Sequence, residues 1–250
     1  MSIFSKSAAI GLVLSAIVAT PSLAAPIYSA SIDASLSLSS ATISDGSGGL
    51  DVEIVGESLL LDSGAFSDGV SNSDYTASLS PSDPTSLFDE PIVVQLSASG
   101  AAPGIGAAES FALGDSLVTI FNNSLTNTVQ LDFVLRYDLA AIAEIDDPLF
   151  QFGTASTFFS LQSSQDFDPI AEFELLADTD TMDTDLTVSD MLNFSLFVGP
   201  ESEASLFLLS DVSGFILSDL EAATPVPLPS MAALFGLSAL ALGLKKRRKR

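Results

Sequence analysis

The chain is 250 residues long, with 32 acidic residues against eight basic ones and a formal charge of −24. It has no Cys, His or Trp, which excludes disulfides, thiolate nucleophiles, thiolate zinc sites and the commonest general base. Every acidic residue lies between Asp33 and Glu221, where Arg136 is the sole basic residue, so this body repels phosphate backbones and no nucleic-acid partner is expected. The length allows one large β domain or two small ones. With no lysine in the body, catalysis would fall to carboxylates, hydroxyls, Tyr and Arg136. Paired carboxylates can hydrolyse a glycosidic bond, but no pair stands out among so many, and no enzymatic activity is expected.

The first 24 residues have the layout of a secretory signal peptide. Lys6 supplies the positive start, Ala8 to Ala19 the apolar run, and Ser22-Leu23-Ala24 the small residues before a cut between Ala24 and Ala25. The expected partners at this stage are the Sec translocon and a signal peptidase, and the body is expected to fold outside the cytoplasm.

Residues 25–217 read as an all-β domain. Tyr28, Ala30, Ile32, Ala34, Leu36 and Leu38 alternate with Ser29, Ser31, Asp33, Ser35 and Ser37, the period-two signature of a strand with one buried face. Next come Leu50–Val55, Pro91–Ala98 and Ser116–Phe121. Val129–Leu139 alternates as cleanly as the first run, and Thr154–Leu161, Ile170–Ala177, Asn193–Val198 and Ala204–Leu209 follow. Nine short strands without a helical period predict an antiparallel β-sandwich, jelly-roll-like in layout. Phe158, Phe173, Phe194 and Phe207 fall on the alternating faces and are assigned to the core. The Ser-, Asp- and Gly-rich segment 62–91 reads as a long flexible loop. Past Asp211 the chain reads as a tether, with 218–225 as a linker.

Candidate sites are sparse. Asp178, Asp180, Asp183 and Asp185 form the densest acidic cluster and offer hard oxygen ligands for Ca²⁺; the alternative is a solvated connecting loop. The spacing is not that of an EF-hand. No other cofactor is expected. Asp146-Asp147-Pro148 and Asp166 to Pro169 read as acidic turns. Arg136 shares a strand face with Asp132 and Asp138 and offsets their repulsion. Asn122 and Asn193 begin Asn-x-Ser sequons.

The C-terminal stretch has three parts. Val226-Pro227-Leu228-Pro229-Ser230 is a proline motif, Ser230 to Leu244 is an apolar run of 15 residues, and Lys245, Lys246, Arg247, Arg248, Lys249 and Arg250 close the chain. As a helix the run would span about 22 Å at 1.5 Å per residue, against a hydrocarbon core of about 30 Å. It reads as a short transmembrane helix whose basic flank stays on the cytoplasmic side.

This order of parts, together with the signal peptide, resembles the C-terminal sorting domain of the PEP-CTERM class in its VPLPA variant, over residues 226–250. Ser230 stands where that variant has Ala. The resemblance implies sorting and cleavage near the proline motif by an exosortase-like integral membrane enzyme of a Gram-negative bacterium. It also implies a transient stay in the inner membrane and an association with exopolysaccharide and extracellular matrix. "FNNSLTNTVQLDFVLRYDLAAIAEIDD" similarly resembles ectodomains that precede such tails. The expectation is a non-enzymatic cell-surface or matrix protein. The alternatives are a carbohydrate- or Ca²⁺-dependent binding module or adhesin, and a single-span ectodomain anchored in the inner membrane and facing the periplasm.

Overall fold

The computed structural model describes residues 25–45, 49–80, 90–166, 168–181 and 183–219. Ten strands form two five-stranded antiparallel sheets. Sheet A has the order β3 (Asn72–Ser80), β4 (Ile92–Ala101), β1 (Ile27–Asp45), β6 (Thr128–Glu144), β9 (Asp185–Val198). Sheet B has the order β2 (Val52–Gly69), β5 (Gly106–Asn122), β10 (Ser202–Ser218), β7 (Gln151–Ser163), β8 (Ala171–Asp178). The fold is all-β with two antiparallel sheets, as the period-two pattern predicts, and each of the nine expected runs falls on a strand.

Alternation becomes burial most cleanly in the two middle strands of sheet A. Tyr28, Ala30, Ile32, Ala34, Leu36 and Leu38 of β1 are buried, as are Val129, Leu131, Phe133, Leu135, Tyr137 and Leu139 of β6. β1 pairs with β4 on one side and β6 on the other, which places the smallest side chains, Ala30, Ala98 and Ala141, in one row. Facing strands of sheet B supply Val118, Ile120, Phe159, Leu206, Leu208 and Val212. Aromatic rings close the β9 and β8 side: Phe133 stacks on Phe194 at 5.3 Å, and Tyr137 lies 4.5 Å from Phe173 between centroids, spacings at which ring edges and faces attract.

One large side chain crosses the interior. Tyr28 sits opposite Gly100 of β4 and under Gly214 of β10, and a Cβ at either glycine would overlap its ring. The absence of those two side chains lets the phenol reach sheet B, where its hydroxyl lies 2.8 Å from Ser110 Oγ. Ser110 in turn donates to the Ser99 carbonyl at 3.2 Å. Burial pushes the Tyr28 hydroxyl pKa up to about 12.

Three expectations need correction. Segment 62–91 is not a long loop: β2 runs to Gly69 and β3 occupies Asn72–Ser80, leaving only 81–89 outside the described residues. These residues are strands because backbone ladders to β5 and β4 hold them, whatever their side chains. The tight crossing between them, from sheet B to sheet A, needs Gly69, whose φ of 69° and close approach to the Ile105 carbonyl exclude a side chain. The chain past Asp211 is not a tether, since β10 continues to Ser218 with neighbours on both sides. Finally, Phe158 and Phe207 are not core residues: both lie on the outer face of sheet B, while Phe173 and Phe194 pack against the core.

The pairings nest. β7 pairs with β8, β6 with β9 and β5 with β10, each ribbon folding around the next. β1 then pairs with β4 and closes sheet A beside β6.

Candidate functional site

The two ends of the described chain leave from one end of the sandwich. Ile27 is paired with Glu144, Ser218 is paired with Gln151, and the loop 145–150 joins those two partners. The Asp219 N–H donates to the Phe150 carbonyl at 2.9 Å. Ala25 lines a recess of about 430 Å³ together with Glu144, Asp146 and Thr184. A cut between Ala24 and Ala25 would leave two residues before β1 and put a new ammonium group beside those two carboxylates. Ala24, the sorting motif, the apolar run, the basic tail and the linker beyond Asp219 lie outside the described residues.

The acidic cluster forms the crossing from β8 to β9 at this same end. The Asp178 carboxylate accepts from the Asp180 N–H at 2.8 Å, and the Asp178 N–H donates to the Asp183 carbonyl at 2.9 Å. Asp178 is thereby used as a turn former. Thr179 ties the turn to Gly153 by two hydrogen bonds, at 3.0 and 3.1 Å. Among the described residues no three acidic side chains, those of Asp178, Asp180, Asp183 and Asp185 included, are gathered closely enough to hold a metal ion.

The other acidic turns behave as read. Asp147 accepts from the Leu149 N–H at 3.0 Å, and the side-chain Oε1 of the buried Gln151 accepts from the N–H groups of Asp146 and Asp147 at 2.8 and 3.0 Å. Asp166 accepts from Asp168 N–H at 3.4 Å. Arg136 lines a shallow trough on the outer face of sheet A with Asp33, Asp138 and Asp190. Asp33 and Asp138 are directly opposite each other in the ladder, which gives the guanidinium two like charges to offset.

Asn122 is buried, not a glycan acceptor. Its Nδ2 lies 2.8, 2.9 and 2.8 Å from the carbonyls of Asn127, Val198 and Gly199, and its Oδ1 accepts from the Ser124 N–H at 3.1 Å. Asn193 is exposed on β9.

The two outer faces differ sharply. Sheet A presents hydroxyls and acids: Ser29, Ser31, Asp33, Ser35 and Ser37 on β1, with Asp132 behind them on β6. Asp132 accepts from Ser40 and Ser195 at 2.6 Å each and from Gln130 at 2.8 Å. Those bonds, from Ser195 first, lower its pKa to about 2. Sheet B presents apolar rows: Phe111, Leu113, Leu117 and Phe121 on β5, and Phe207, Leu209, Phe215 and Leu217 on β10. Two carboxylates interrupt them. Asp115 sits opposite Leu209, and Asp211 opposite Leu113 and Phe158. Burial raises the pKa of both. Sequence reading missed this pair because Asp is common along the chain and nothing local separates a desolvated carboxylate from a solvated one.

Compared with known proteins, the chain matches no protein-family model and no curated sequence.

Proposed function

We propose that this is an exported, non-enzymatic cell-surface or matrix protein whose β-sandwich is delivered by a cleaved signal peptide and released from, or held at, the membrane by its C-terminal sorting segment. The observation that carries the reading is the order of parts at the two chain ends: a signal-peptide layout at 1–24 and motif, apolar run and basic cluster at 226–250. The geometry is compatible with it in one respect. Both ends leave the sandwich beside the same loop, so a body tethered by either would stand on the same end. The nested pairing supports the finer reading of the sandwich as a jelly roll whose closing strand is the N-terminal β1, with β2 and β3 added at its edges.

In this reading the sorting enzyme is an exosortase-like protease acting near Val226–Ser230, and Lys245–Arg250 hold the chain in the inner membrane until then. Intact-mass measurement of the protein from its host's envelope and medium tests it. The expected species begins at Ala25 and ends within or just before Val226–Ser230. A species that keeps Lys245–Arg250 everywhere would make the protein a membrane-anchored ectodomain instead. A species that keeps residues 1–24 would remove export by signal peptidase.

A further inference from the structure

We infer that the outer face of sheet B is an interface at which a second copy of this chain docks, sheet against sheet. Monomeric soluble proteins rarely leave a contiguous apolar patch of more than a few hundred Å² exposed. Here β5 and β10, paired along 17 residues, turn eight large apolar side chains outward, and β7 adds Phe152 and Phe158. The opposite face carries serines along β1 and acids and Arg136 on β6, with Val134, Ile142, Met191 and Phe197 set among them, so the contiguous apolar rows of neighbouring strands belong to sheet B.

The size fits a copy of itself. Five strands about 4.8 Å apart, with 13 paired positions along β10 and β7 at about 3.3 Å each, give a face of about 24 by 43 Å. That is roughly 1,000 Å² per partner, at or above the roughly 800 Å² per partner of a standard stable interface. The face is a nearly continuous sheet surface and not a pocket, and rows of side chains on two such sheets interdigitate as they do inside a sandwich. A two-fold axis through the β5–β10 pair would set each apolar row on its own copy. An anionic lipid surface is disfavoured, because the strands that frame the face carry Glu53, Glu57, Glu109, Glu172, Glu174 and Glu203 and, among the described residues, no basic side chain.

The same acids give the association a signature. Docking brings two acidic rims together and buries Asp115 and Asp211 more deeply, so added salt and lower pH both strengthen it. An association driven by opposite charges would respond to salt in the reverse sense. The inference is independent of whether the C-terminal segment is cut.

Sedimentation equilibrium on the protein recovered from its host tests this, at pH 5 and 8 and at low and high NaCl. The expected result is a particle of twice the chain mass, tightened at least several-fold by acid and by salt. Phe207→Glu with Leu217→Glu, both at exposed positions, should give a monomer with unchanged circular dichroism, while Val134→Glu on sheet A should remain dimeric. As a second readout, the cysteine-free chain permits Phe207→Cys and, on the opposite face, Ser35→Cys. A thiol-reactive bifunctional reagent should double the mass of the first and not of the second. A monomer at about 100 μM, well above the micromolar range of weak specific complexes, would overturn the proposal. So would a dimer insensitive to the sheet B substitutions or weakened by salt, or cross-linking of Phe207→Cys to a different molecule.

Discussion

The Tyr28 hydroxyl lies 2.8 Å from Ser110 Oγ, and this is the bond by which a side chain of sheet A reaches across the sandwich to sheet B. The ring passes through space that Gly100 and Gly214 leave open. Tyr28→Phe keeps the ring and loses the bond, at an expected cost of about 1 kcal/mol. Gly214→Ala drives a methyl into the ring and should cost about 3 kcal/mol, the upper range for overpacking. Urea unfolding of the two variants checks the order. Because the folded pKa of Tyr28 is raised to about 12 from 10.0, its stabilising effect is complete below pH 10 and is lost as pH rises towards 12. Tyr28→Phe should remove that alkaline loss.

Asp132 gives the opposite dependence. Its carboxylate binds a hydroxyl from β1 and another from β9, so it ties three neighbouring strands. Its folded pKa is depressed to about 2 from 3.8, so its contribution is present above pH 4 and disappears as pH falls through 2. Melting temperature followed from pH 5 to pH 2 should fall in the wild type and fall less in Asp132→Asn. An equal fall in both would place the acid sensitivity elsewhere.

On the other face, Asp115 and Asp211 have pKa values raised by burial. The sign is then reversed relative to Asp132: the favourable contribution is complete below 3.8 and is lost as pH rises through the folded value. Asp211→Asn should raise the melting temperature at pH 7 and leave it almost unchanged at pH 3. A variant less stable than wild type at pH 7 would contradict the burial argument.

Thr157 carries the one buried side-chain oxygen among the described residues with no hydrogen-bond partner. It is 1% exposed, between Val212 and Leu175 in the ladder. An unsatisfied buried hydroxyl costs about 1–3 kcal/mol. Thr157→Val keeps the branched shape and should stabilise the protein by about 1 kcal/mol in chemical denaturation.

Asn122 is the counterpart, a buried amide fully used. It ties the end of β5 to the turns after Ser124 and Val198. Asn122→Ala leaves three carbonyls short of a donor and should cost about 2 to 3 kcal/mol. In a glycosylating host, Asn193 should be modified and Asn122 not, as glycopeptide mass mapping would show.

The sequence was most legible where one strand face is apolar and the other polar. β1 and β6 could be assigned residue by residue because serine, aspartate and glutamine mark their outer sides. β10 could not, since both of its sides are apolar and period two does not say which is inside. That is why Phe207 was read as core and the outer face of sheet B went unseen. β3 and the far half of β2 were illegible for the opposite reason. Ser63, Ser67, Ser73 and Ser78 bury little, so nothing in their polarity signals a strand. A bulge between Leu60 and Asp62 also flips the inward set from even to odd positions. The acidic stretch was legible as a turn, whereas whether its carboxylates gather round a cation is a tertiary property that spacing along an irregular turn does not report.

The placement of the first and last strands has a consequence for assembly. Remove β1 from sheet A and two separate hairpin-like pairs remain, β3–β4 and β6–β9; remove β10 from sheet B and the remainder is β2–β5 and β7–β8. Each sheet is thus completed by a strand from one terminus, and sheet B cannot close until residues 202–218 are available. Such long-range closure makes folding slow. It also means that a chain ending before Ser202 would hold an open slot between β5 and β7, flanked by unpaired backbone groups on both sides. A free peptide carrying the β10 sequence should insert into that slot, as strand donors do when they complete an unfinished sheet.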